Sequence, residues 1–163
     1  MNTSSRIAAL LAASTLIAGC ASAPETPRPE AELLAVHDFW VKAAADGMTA
    51  GFGRLTNTGD REARIVSASA PVAATVELHE VVADGGAMTM RPKPGGFVIA
   101  PGADAELRPG GDHFMLMDLT QALTPGTDVQ IVATFDDGST LPITAQVRDF
   151  PGADEHYAPG THG

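Results

Sequence analysis

Two histidines and four methionines crowd into residues 76–118: His79, Met88, Met90, His113, Met115 and Met117. The whole chain holds five histidines and six methionines, Met1 included, so this one stretch carries most of its thioether and two of its five imidazoles. His113 and Met115 stand two apart, and on a strand residues two apart share a face. Upstream, residues 76–82 read as a strand, 83–86 as a turn and 87–91 as the returning strand. A four-residue turn sets Val82 opposite Ala87 and His79 opposite Met90. Facing residues on one side of a hairpin have Cβ atoms about 4.5–5.5 Å apart.

Such a donor set has a definite preference. A thioether is soft, polarizable and uncharged, and imidazole is intermediate. Together they suit Cu(I), whereas Mg²⁺, Ca²⁺ and Mn²⁺ want oxygen and Zn²⁺ more often takes Cys, His or carboxylate. A lone methionine is read most simply as core packing and a lone histidine as a surface residue. Here an i, i+2 His-x-Met coincides with a cross-strand His–Met pair. His79, Met90, His113 and Met115 are therefore the candidate metal ligands. Met88 and Met117 lie on the same strand faces and stand as alternatives for the two thioether positions.

The set resembles the signature of the periplasmic copper chaperone family PCu(A)C, H-x10-M-x21-H-x-M. In this chain ten residues separate His79 from Met90, and twenty-two separate Met90 from His113-Phe114-Met115. The second spacer is one residue longer than the pattern, an insertion assigned to the loop 92–96, since loops tolerate added residues. VELHE, MRP, LRPGGDHFMLM and FDDGST also resemble the family, and the similarity runs over residues 36–147. The resemblance implies a cupredoxin-like Greek-key fold with Cu(I) as cargo. It also implies a respiratory cytochrome c oxidase, with Sco-type proteins, as the recipient.

The elements around the set give the domain plan. Arg6 and the apolar residues 7–18 form a leader too short to span a bilayer comfortably. It ends in Leu16-Ile17-Ala18-Gly19-Cys20, which resembles a lipobox, so the leader is 1–19 and Cys20 the expected lipidation site. Two or more acyl chains hold a protein stably on a bacterial membrane, and the expected location is extracytoplasmic, in the periplasm or at the cell surface. Cys20 is the only cysteine. No intrachain disulfide can form, and a lipidated Cys20 leaves no thiolate for a blue-copper site. Residues 20–34, with Pro24, Pro27 and Pro29, read as a linker, reaching on the order of 45 Å at ~3.1 Å per residue. Residues 35–148 are the folded domain.

Within that domain, alternating runs at 36–43, 48–57, 64–70, 97–100, 103–107, 129–135 and 140–147 join the two hairpin strands and the strand of His113, Met115 and Met117, and no convincing helical period intervenes. Many short strands with close turns predict an all-β sandwich or barrel. Alternation puts Val76, Leu78, Phe114 and Leu116 in the core and Glu77, His79, Val81, His113, Met115 and Met117 on the other face. His37 is read as structural or exposed. Residues 149–163 read as a flexible acidic tail. Its His156 and His162, beside Asp154 and Glu155, offer nitrogen and oxygen donors suited to Cu(II).

Charge and motifs narrow the function. The formal charge is −10, with no basic patch, which argues against nucleic acid as a partner. Neither G-x-S-x-G nor H-E-x-x-H occurs, and no Walker or dinucleotide loop appears, so no enzyme is expected. The readings left are a copper chaperone, a copper storage or resistance protein with the same site, and a surface lipoprotein whose β domain binds a protein or small ligand.

Overall fold

The structure, a computed structural model, describes residues 27–152 together with 156 and 157. The leader, Cys20 and His162 lie outside the described residues. A short 3₁₀ helix, Glu30–Leu33, opens the fold. Eleven strands follow: β1 Leu34–Lys42, β2 Thr49–Asn57, β3 Ala63–Ser69, β4 Ala73–Asp84, β5 Ala87–Pro92, β6 Phe97–Ile99, β7 Asp104–Leu107, β8 His113–Leu119, β9 Asp128–Phe135, β10 Thr140–Arg148 and β11 His156–Tyr157. Seven of them, in the order β4-β8-β2-β1-β10-β9-β3, close into a barrel through the pairing of Ala68 with Val76. β1 and β10 run parallel, Trp40 beside Gln146, while their other barrel neighbours are antiparallel. The expected all-β, cupredoxin-like architecture is the one observed.

Alternation explains most of the packing. Val76 and Leu78 on β4, Phe114 and Leu116 on β8, and Ile131, Ala133 and Phe135 on β9 all bury into one interior, closed by Ile143, Ala145 and Val147 on β10. Burying a side chain of the larger kind is worth about 1.5–3 kcal/mol. Alternation breaks at Asp38, which has φ 50°, and the β1–β2 register shifts between His37 and Trp40. The bulge sends Phe39 and Val41 inward and leaves Trp40 outside against Phe52, ring centroids 4.8 Å apart.

Three sequence expectations are corrected. The hairpin turn has two residues, not four: Asp84 pairs with Ala87 across Gly85 and Gly86. Both glycines have positive φ, 57° and 91°, as the commonest two-residue hairpin turns require. β4 thus runs to Asp84, and Met90 faces Val81 while His79 faces Pro92. Next, the fold begins before residue 35. Leu33 is buried in the core, the Glu30 N–H donates to Asp137 Oδ2 at 2.7 Å, and Glu30 Oε2 accepts the Arg64 N–H at 2.8 Å. Prolines on its N-terminal side hid this anchor. Finally, the tail does not leave the barrel at residue 149. Phe150 packs on Trp40 at 5.2 Å, Lys42 Nζ donates to the Gly152 carbonyl, and β11 pairs with β5, His156 beside Thr89.

Candidate metal centre

The outer face of the barrel carries a second buried cluster. β5, β4, β8, β2 and β1 lie side by side there. Strand alternation that sends Val76, Leu78, Phe114 and Leu116 inward sends His79, His113 and Met115 outward. They are nonetheless buried: His79 is 0% exposed, His113 2%, Met115 4% and Met90 5%. Met90 and Met115 pack with Ala50 and Phe52, and Trp40, Val81 and Met117 close the cluster. Phe52 also approaches the His113 ring, centroids 6.0 Å apart.

The two histidines meet directly. His79 on β4 faces His113 on β8, with ring centroids 5.5 Å apart and planes at 68°. That is about the separation of two imidazoles sharing one metal at ~2 Å from each nitrogen. On β8, Met115 pairs with Glu77 on one side and Ala50 on the other. The two-residue shift of the hairpin keeps every face, because side chains alternate with period two. Met90 therefore stays on the histidine side, diagonal to His79 rather than opposite it.

Each ring is held from behind. His79 Nε2 lies 2.7 Å from Glu77 Oε2, and His113 Nδ1 lies 2.9 Å from the Gly111 carbonyl. An oxygen of either kind only accepts, so in the neutral ring these nitrogens carry the proton. The lone pairs then sit on His79 Nδ1 and His113 Nε2, both buried. Metal-binding histidines characteristically donate the other N–H to a carboxylate or backbone carbonyl. The donor chemistry thus fits a soft monovalent ion: two neutral imidazoles with fixed tautomers beside two thioethers. Lys93 ties the end of β5 to the loop before β8, its Nζ 2.8 Å from Asp112 Oδ2.

All four residues singled out in the sequence come together. Met117 is half-buried beside them, and Met88 is 50% exposed. His37 sits on β1 beside Arg54, in another part of the sheet. The backbone of His156 lies at the edge of β5. Sequence reasoning missed Glu77 as a partner of His79, although its position two residues before the histidine placed it on the same face. It also missed Phe52 and Trp40, for which there was no local signal.

The chain matches the LpqE-like family over residues 34–147. A Leifsonia xyli subsp. xyli relative, named "Putative lipoprotein Lxx21020", is 42% identical over 145 residues, which is 86% of this chain and 87% of the relative. Among solved structures, the apo PCuAC domain from PmoF1 superposes with a TM-score of 0.60 at 19% identity, covering 72% of this chain and 95% of that one. The Cu(I) form of DR1885 from Deinococcus radiodurans superposes with a TM-score of 0.52 at 28% identity, covering 75% and 84%. Over a span that takes in β1 to within one residue of the end of β10, the chain belongs to the LpqE-like lipoprotein family, built on the cupredoxin-like PCuAC fold.

Proposed function

We propose that this chain is an extracytoplasmic copper carrier, anchored to a bacterial membrane through a lipidated Cys20. It holds Cu(I) by His79, Met90, His113 and Met115 and passes it on by ligand exchange. The observation that carries this reading is the direct pairing of His79 with His113 on the face where Met90 and Met115 cluster. Neutral imidazole and thioether donors match a soft monovalent ion and lack the permanence of a thiolate. By the family resemblance, the recipient is the copper centre of a respiratory cytochrome c oxidase or a Sco-type protein. His156 and His162, with Asp154 and Glu155, form a weaker site for Cu(II).

One observation favours a second reading. Met90 and Met115 are as buried as core methionines, which also suits a surface lipoprotein whose barrel binds another protein. Titrating the full chain with Cu(I) against bicinchoninate separates the two. The carrier takes up one tightly held equivalent, and Met90→Leu and Met115→Leu each lower its affinity at least about tenfold. Met→Leu preserves volume and apolarity, so melting temperatures stay nearly unchanged. Equal Cu(I) affinity in wild type and both variants would leave the methionines as packing alone.

A further inference from the structure

The methionines of the described chain are not scattered. Met88 and Met90 are two apart on β5, and Met115 and Met117 two apart on β8. Met48 precedes by two residues Ala50, which packs in the same cluster as Met90 and Met115. Alternation thus puts the four strand methionines on the outer, histidine-bearing face, and Met48 stands one residue before β2. Their exposure is graded: Met90 and Met115 are 5% and 4% exposed, Met48 and Met88 43% and 50%, and Met117 lies between. Met88 faces Ala83, itself exposed, so its side chain adds little to packing.

Burial of the four ligand candidates poses a transfer problem. An acceptor's ligand cannot reach copper behind side chains that are each at most 5% exposed. Same-face positions on a strand are about 6.8 Å apart, and methionine has three rotatable side-chain bonds. The sulfurs of Met88 and Met90 can therefore swing to one ion. We propose that Met88 is the surface ligand through which Cu(I) enters and leaves the buried site. This rests on the reading that His79, Met90, His113 and Met115 hold the metal. In the exchange a Cu–S bond to Met88 forms as the bond to Met90 breaks, and acceptor ligands then replace Met88 and the bonds to His79, His113 and Met115 as the ion leaves. Copper stays monovalent, and no proton moves. The other exposed methionine, Met48, stands just before β2, on the far side of β8 from β4 and β5, and serves as the control.

The test uses the full chain loaded with one equivalent of Cu(I) and mixed rapidly with bicinchoninate over a range of concentrations. Met88→Leu keeps the stoichiometry, equilibrium affinity and melting temperature of wild type, and its transfer rate falls about tenfold. Since the affinity is unchanged, loading slows by the same factor. Met48→Leu transfers at the wild-type rate. A wild-type rate in Met88→Leu overturns the proposal, as does slow transfer confined to Met48→Leu. A loss of equilibrium affinity in Met88→Leu overturns it too, since Met88 would then be a resident ligand. Wild type that takes up no Cu(I) removes the carrier reading itself, a different outcome from each of these.

Discussion

Glu77 separates holding a ligand in place from being one. Its carboxylate sits 2.7 Å from His79 Nε2 and fixes which nitrogen of that ring keeps the lone pair. Glu77→Ala is expected to lower Cu(I) affinity about 10- to 100-fold, the usual cost of losing such a partner. Glu77→Gln should cost less, because its amide oxygen still accepts from the ring N–H. Chelator competition measures both, and an alanine variant with wild-type affinity would mean that packing alone orients the imidazole. Residue types and parity were legible in the sequence: His79, Met90, His113 and Met115 share a face whichever even-numbered register the hairpin takes. The contact of Glu77 with His79 was not, because a shared face says nothing about distance.

At the scale of elements, the β4–β5 hairpin shows what alternation can and cannot decide. Its faces follow from the pattern, but its register depends on turn length, and residues 83–86 admit a four-residue turn as readily as the Gly85–Gly86 turn observed. The pairing of β4 with β8 joins residues 34 to 46 positions apart and has no local signature. The 3₁₀ helix Glu30–Leu33 was hidden in the same way, since what holds it lies on distant hairpins. Asp137, on the turn between β9 and β10, is one such anchor. Hydrogen bonds first from Ser139 and then from the Glu30 N–H hold its pKa below the ordinary aspartate value. A carboxyl with a lowered folded pKa stabilises above its unfolded value and loses that contribution as pH falls through the folded one. Acidification below about pH 4 should therefore release the N-terminal segment before the barrel opens. Hydrogen exchange would show it: the Glu30 and Ala31 amides should lose protection ahead of Ile131 and Ile143, and simultaneous loss would mean Asp137 is no anchor.

For the whole molecule, the barrel core and the histidine–methionine cluster are separate bodies of side chains. The core is therefore expected to form without metal, unlike small zinc modules that fold only when loaded. Copper-free protein should give dispersed amide resonances, and an unfolded apo state would show the core assignment to be wrong. Fatty-acid labelling tests the anchor: Cys20→Ser should abolish it, and persistent labelling would put the lipid elsewhere. The fold class was legible because short alternating strands leave few architectures open. The strand order was not, since β1 lies parallel to β10, Lys42 beside Arg148. That pairing also sets a schedule. β1 pairs early with β2 but finds its second neighbour only when β10, near the end of the domain, has been delivered, and such non-local pairing is slow. Trp40, one wall of the metal face, belongs to that first strand. A partly delivered chain therefore has its histidines before Trp40 is fixed between β2 and β10, and if the site holds copper, capture comes only after β10 has arrived.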